Sequence, residues 1–356
     1  VTARPVRPVR GVAAVAAAAL LAACGGGAPR ADRTPAPAVT TTTAAPATTA
    51  APPGSAPPTP APSRTPNRSP SAPSPTRTAT PTLTPVSRTV AFRGLGTWVD
   101  GFDFAPELDG TLPPESVDDM AAQGVRTLYL QATRDDPKVT GTLYSPDLLG
   151  AFLERAHEHG LKVTGWYLPT FTDPDKDWAR FAAMVAFRSH GQAFDAIGVD
   201  IESKAQADVA LRNTRLVALS RRLRAAYPAM PLLGIVLPPV VTDVLSPAYW
   251  PDFPWHGIAP YYDAWTPMAY WTNRTPESGW RDAYRYVTEN VRMLRADLGR
   301  PDAVVHAVGG IGDKTTVADV DGMARATRDA HAIGGSLYDY ATTAPALWPG
   351  LRRVPT

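Results

Sequence analysis

Eight apolar segments of strand length, separated by stretches of helical periodicity, occupy residues 89–356, and this alternation narrows the fold more than any other property of the chain. The segments are 91–98, 125–132, 162–168, 193–201, 231–237, 264–270, 303–308 and 335–340. Helix starts fall between them at Ser116 after Pro113-Pro114, at Ser145-Pro146-Asp147, and near Pro174, Gln206, Gly279 and Thr316, while Gly124, Gly160 and Gly191 act as stops. Apolar strands alternating with helices form parallel sheets covered on both faces. Eight repeats in about 250 residues suit a (β/α)8 TIM barrel better than an open doubly wound sheet. No Gly-x-Gly-x-x-Gly follows the first segment, which argues against a dinucleotide site. The 268 residues from 89 to 356 are enough for one large domain with a single core.

The chain ahead of residue 89 is of another kind. Arg4, Arg7 and Arg10 precede an apolar stretch from 12 to 23 that ends Leu21-Ala22-Ala23-Cys24-Gly25. A basic start, a short apolar run and small residues at its end read as a secretory signal over residues 1–23, too short for a lasting membrane span. The Leu-Ala-Ala-Cys ending resembles the lipobox of bacterial lipoproteins. That resemblance implies a lipid-anchored, extracytoplasmic protein, with Cys24 acylated by diacylglycerol or palmitate as the first mature residue. Cys24 is also the only cysteine, so no disulfide forms within the chain. Residues 24–88 are Pro, Ala, Thr and Ser with few large apolar groups. Such a segment cannot offset its ordering entropy and is expected to be a disordered linker. It would reach roughly 45 Å as a coil and about 200 Å extended. Net charge is +2 with dispersed arginines, so no nucleic-acid footprint is expected. The protein is expected to act as a monomer.

The chemistry concentrates in Asp195-Ala-Ile-Gly-Val-Asp200-Ile-Glu202. Alternate strand residues share a face, so Asp200 and Glu202 point the same way, roughly 7 Å apart along the strand. Two carboxylates at the end of an apolar strand raise each other's proton affinity, which keeps a general acid protonated near neutral pH. A helix cap or an arginine partner is the ordinary alternative for such a pair. In a barrel, chemistry gathers at the C-terminal strand ends. There the sequence places Trp98 and Asp100, Gln131, Tyr167, Tyr270 and Trp271, and Asp339. Acids, amides and aromatics together suit a sugar, whose CH face stacks on a ring while its hydroxyls need polar partners.

The fourth and sixth segments resemble the family 18 glycoside hydrolases, the chitinase group. That family carries Asp-Gly-x-Asp-x-Asp-x-Glu on its fourth strand and Met-x-Tyr on its sixth. Asp195, Asp200 and Glu202 fall on three of the four acidic positions, and Met268-Ala269-Tyr270 matches the second motif. The resemblance implies that Glu202 protonates the glycosidic oxygen, that Asp200 orients a 2-acetamido group acting as nucleophile, and that Tyr270 holds its carbonyl. Asp195, Asp100, Trp98, Gln131, Tyr167, Trp271 and Asp339 are then expected to contact a polysaccharide or wall glycan, with no cofactor and no metal. Gly198 stands where the family has its middle Asp, Ala196 where it has Gly, and Trp271 where many members have Asp. A catalytically degenerate, glycan-binding or structural protein is the competing expectation.

The seventh segment, Val304-Val305-His306-Ala307-Val308, offers no Glu nucleophile. Substrate assistance therefore stands beside inversion, with Asp100, Asp263 or Asp339 as the distant base. No Gly-x-Ser-x-Gly elbow is present. His157 and His159 read as a helix end rather than a metal pair, His306 points either inward or into packing, and the aromatic-rich stretch 238–263 is a candidate wall or lid.

Overall fold

The computed structural model describes residues 88–356; the signal segment, Cys24 and the linker up to residue 87 lie outside the described residues. The strands are β1 (Gly94–Val99), β2 (Thr127–Gln131), β3 (Lys162–Tyr167), β4 (Ala196–Ile201), β5 (Leu232–Val236), β6 (Ala264–Pro267), β7 (His306–Ile311) and β8 (Gly334–Tyr338). The main helices are α1 (Ser116–Ala122), α2 (Pro146–Glu158), α3 (Pro174–Ala186), α4 (Val209–Ala226), α5 (Ala283–Asp297) and α6 (Val317–Asp329). All strand pairs are parallel in the order β6-β5-β4-β3-β2-β1-β8-β7. Bridges Trp265–Val305 and Met268–Val308 span the remaining gap between β6 and β7, making a nearly closed (β/α)8 barrel. Among the described residues no helix is long and apolar enough to cross a membrane.

The eight expected strands are present, displaced at their ends by a few residues. The largest shift is in β7, which continues through Gly309 and Gly310. Trp271 packs so close to both glycines that a Cβ would lie 2.6 Å or 2.8 Å from its ring. Local capping explains the helix starts. Asp173 accepts from the backbone N–H groups of Asp175 and Lys176 at the head of α3, and Thr316 and Asp319 form a reciprocal capping box at α6.

Between β5 and β6 no long helix forms. Prolines at 238, 239, 247, 251, 254 and 260 break the segment into a π-helical turn, Val240–Leu245, and one-turn pieces such as Trp255–Ile258. The Val240 N–H donates to Asn290 Oδ1 at 2.9 Å, fixing the segment to α5.

Aromatic rings fill the barrel lumen. Trp98 stacks on Tyr129 with centroids 4.2 Å apart, Trp166 meets Trp98 edge-on at 5.9 Å, and His306 lies 5.1 Å from Tyr129. The indole N–H of Trp98 donates to Ser336 Oγ at 2.8 Å. Small residues make the room, since a Cβ on Gly96 would sit 2.7 Å from Tyr129. His306 thus points inward, with Nδ1 2.9 Å from the Phe92 carbonyl and Nε2 3.0 Å from Ser336 Oγ. Burial holds it down at about 4, so it is neutral at physiological pH.

Candidate active site

β4 carries apolar residues to its C-terminal end, where Asp200 is its penultimate residue and Glu202 the first beyond it. Asp200 is buried, and its Oδ1 has no hydrogen-bond partner. Burial first, and then the neighbouring Glu202, push the Asp200 carboxyl well above the usual carboxylate range. Glu202 is half-buried, and burial raises it to about 7 while Arg134 opposes the rise. Both carboxyls are thereby disposed to hold a proton at the barrel mouth.

Below Asp200 the wall is apolar. A Cβ on Gly198 would lie 3.0 Å from Trp166 Cβ and 3.1 Å from Ile235 Cδ1, so these side chains close over the strand where another acid would project. This packing accounts for the weight of burial in the Asp200 shift.

A second acidic group lies at the ends of β1 and β8. Asp100 caps the one-turn helix Gly101–Phe104, its Oδ1 accepting from Phe102 N at 2.8 Å and Asp103 N at 3.3 Å, and Asp103 Oδ2 accepts from Asp100 N in return. Tyr338 donates to Asp100 Oδ2 at 2.5 Å. Asp339 Oδ1 accepts from the Thr342 N–H and hydroxyl, both at 2.9 Å. Burial, then the charges of Asp100 and Asp339, raise Asp103 to about 8, and burial with Asp100 raises Asp339 to about 6. Oxygens of Asp100, Asp103 and Asp339 lie within 4.8 Å of one another, a spacing that suits a cation. Each of the three carboxylates nevertheless already accepts from protein donors.

Tyr270 joins the two groups. Burial pushes its phenol well above the ordinary value, and Glu202, Asp200, Asp339 and Asp100 all add to the rise. Its ring stands 5.9 Å from that of Tyr338. Four further residues belong here that the sequence reading did not single out. Arg134, just beyond β2, acts on both Asp200 and Glu202, with its guanidinium 4.7 Å from the Phe102 ring. Tyr249, from the 238–263 segment, has its phenol raised by burial and then by Glu202, and Lys204 Nζ lies 4.0 Å from its ring centroid. Tyr338 was legible as the last residue of its strand, and Asp103 as the fourth residue of an Asp-x-x-Asp cap; Arg134 and Tyr249 had no local signal.

Other expected contacts lie elsewhere. Asp195 precedes β4, at the opposite end from the mouth, where it accepts from Lys162 Nζ at 2.8 Å and Val163 N at 2.9 Å and pairs with His157 Nε2 at 2.8 Å. Burial works against its charge, but these bonds hold it below the usual carboxylate range. Tyr167 faces outward, donating to Asp177 Oδ1 at 2.7 Å on α3 and accepting from Arg180. Trp271 is wholly buried against β7, and Asp263 is held by Arg224 and Leu232 N at the start of β5 and β6. These positions give Asp195, Tyr167 and Trp271 framework partners, and they place Asp263 at the entry end of the strands, away from the mouth. Gln131 is buried, its Oε1 accepting from Gly101 N at 2.8 Å and Tyr144 OH at 3.2 Å, so it pins the β1 loop. Trp98 forms the floor in the lumen. His157 and His159 are engaged by Asp195 and Asp118, as a helix end rather than a metal pair.

No protein-family profile matches the chain, and no curated protein does. Solved structures share its fold. The Bacillus megaterium spore cortex-lytic enzyme SleL aligns with TM-score 0.51 and 11% identity over 74% of each chain. The endo-β-1,4-mannanase of Thermotoga petrophila aligns with TM-score 0.54 and 9% identity, over 75% of this chain and 77% of its own. A family 18 chitinase from Cycas revoluta, solved in complex with allosamidin, aligns with TM-score 0.52 and 12% identity, over 73% of this chain and 98% of its own. At such identities the likeness concerns the barrel itself.

Proposed function

We propose that the domain is a glycoside hydrolase acting on a polysaccharide with N-acetylated sugars, with Glu202 as general acid. The observation that carries this reading is a carboxyl raised to about 7 at the mouth of the barrel, beside a second buried carboxyl and a tyrosine. A group with that proton affinity can protonate a leaving oxygen near neutral pH. The barrel's likeness to a chitinase, a mannanase and a cortex-lytic enzyme is compatible with a polysaccharide substrate, and the acetamido group comes from the motif resemblance alone.

In this reading Glu202 gives its proton to the glycosidic oxygen as the C1–O bond breaks and the leaving oxygen keeps the electron pair. The acetamido oxygen of the same sugar closes on C1, Asp200 accepts from the acetamido N–H, and the Tyr270 hydroxyl donates to the acetamido oxygen. Water then attacks C1, the bond between C1 and the acetamido oxygen breaks with its electron pair returning to the acetamide, and the Glu202 carboxylate takes the water proton. Arg134 supports Glu202 while it is charged. The mouth would release into the envelope if Cys24 carries the lipid that its motif implies, which labelling with a lipid precursor and Cys24→Ala would test.

The enzymatic test is the release of reducing ends from chitin, peptidoglycan and other polysaccharides by the protein and by Glu202→Gln. Release by the first alone supports the assignment; equal release by both contradicts it. Gly198 favours a second reading, a barrel that binds glycan without turnover, because the apolar wall below Asp200 leaves no further acid to pass a proton. Binding with no release by either protein would select that reading.

A further inference from the structure

The segment between β5 and β6 folds against the end of α5 around a cavity of about 390 Å3 that shares no residue with the barrel mouth. Its walls combine aromatic rings with acids. Phe253 lies 5.2 Å from Trp250 and 4.4 Å from Trp255, centroid to centroid. Trp250 is already committed, its indole N–H donating to Asn213 Oδ1 at 2.7 Å and its ring covered by Arg212 at 4.1 Å. Phe253 and Trp255 remain half-exposed toward the cavity.

Asp243, Asp252 and Asp297 line the same space, and no lysine, arginine or histidine does. Asp297 Oδ2 is buried with no hydrogen-bond partner other than the neighbouring Asp243 carboxyl, with which it shares a proton when one of the two is protonated. Asp243 is its neighbour and accepts from the Thr242 hydroxyl at 2.9 Å. Burial, then the adjacent Asp243, raise Asp297 to about 6. The cations that face Asp297 from packed elements are Arg292 and His256, and Arg292 is already paired twice with Glu289, at 2.9 and 2.6 Å.

Adjacent carboxyls in such contact need a proton or a cation between them. A hard metal ion would want six or more oxygens, whereas rings and prolines form the rest of this wall. An organic ammonium meets both demands, donating to the acids while its CH-rich body lies on the rings. The volume falls in the range of small-molecule sites, about 300–1,000 Å3.

We infer that this cavity binds an amino-sugar unit bearing a free 2-ammonium group, as in a de-N-acetylated glycan. The ammonium sits between Asp297 and Asp243, and the sugar ring stacks on Trp255. The choice of a sugar rests on the glycan reading above; the cation preference rests on the cavity alone. The site would hold a partly deacetylated chain at a distance from the mouth.

Calorimetric titration at pH 7 with a glucosamine tetramer and its N-acetylated counterpart tests this, using the protein and its Asp297→Asn, Trp255→Ala and Glu202→Gln variants. The glucosamine tetramer should bind the protein and Glu202→Gln alike, and at least tenfold more weakly to the other two variants. The N-acetylated tetramer should be indifferent to Asp297→Asn. Unchanged melting temperatures exclude misfolding as the cause, and Trp255→Ala supplies an independent variant should Asp297→Asn fail to fold. Absence of glucosamine binding, or binding unaffected by Asp297→Asn and Trp255→Ala, overturns the inference. Equal binding of tetralysine overturns the sugar assignment in favour of a basic peptide. Because binding is read without turnover, a protein that releases no reducing ends still gives a decisive result here.

Discussion

Tyr338 donates a 2.5 Å hydrogen bond to Asp100 across the seam between β8 and β1, joining residues 238 positions apart in the chain. The bond ties the first and last strands at the mouth, and the same Asp100 caps the turn that follows β1. The cap, the seam and the acidic cluster with Asp339 therefore share one carboxylate.

Removing that donor has a definite consequence. Tyr338→Phe should lower unfolding stability by roughly 1.5–3 kcal/mol, the range for a hydrogen bond to a charged group. Urea denaturation at pH 7 measures it, and an unchanged midpoint would show that the seam does not depend on this bond.

The raised carboxyls make stability depend on pH with a known sign. Glu202 at about 7, Asp103 at about 8 and Asp339 at about 6 all bind protons more tightly folded than unfolded. Their contribution is complete below about pH 4 and is lost as pH rises toward 8. Glu202→Gln should accordingly raise stability relative to the parent at pH 8, by up to roughly 3 kcal/mol at about 1.4 kcal/mol per pKa unit, and leave it nearly unchanged at pH 4. His306, held at about 4, works in the opposite sense, its contribution fading as pH falls from about 6.5 through 4. Equal effects of Glu202→Gln at both pH values would contradict the placement of its carboxyl.

Asp195 separates a framework role from a catalytic one. Asp195→Asn weakens its bonds with His157, Lys162 and Val163 N far from the mouth. Stability should fall by about 1–3 kcal/mol, while kcat and KM at permissive temperature stay within twofold of the parent. A large fall in kcat with stability preserved would return Asp195 to the chemistry.

Restoring an acid at Gly198 should not restore anything. The Cβ of Gly198→Asp would press on Trp166 and Ile235, and a buried carboxyl would follow it into an apolar wall. A loss of about 1–3 kcal/mol in stability is expected from the crowding alone, with no gain in turnover. A stable variant with higher activity would mean that the wall yields readily.

The strands were legible because a two-sided buried sheet demands long apolar runs, and β4 shows this fully, with all six residues buried. The same property hid which way each side chain points. Trp166 and Tyr167 are both aromatic and both buried, yet the first enters the lumen and the second turns toward α3. Polarity does not distinguish the two faces of such a strand. Asp195 was carried toward the site by the motif match alone; it stands just ahead of β4, at the strand's entry and away from Asp200 and Glu202. Arg134 and Tyr249 were illegible for another reason, since their approach to Glu202 is made by loop paths with no periodicity to read.

The most direct test of Glu202 as the proton donor compares two substrates in one variant. On a native N-acetylated oligosaccharide, whose leaving group needs protonation, Glu202→Gln should lose about 10²–10⁴-fold in kcat, the usual contribution of a general acid. On the matching 2,4-dinitrophenyl glycoside, whose leaving group departs without a proton, bond cleavage should retain most of the parent rate. Equal losses on both substrates, or no loss on either, would contradict the assignment.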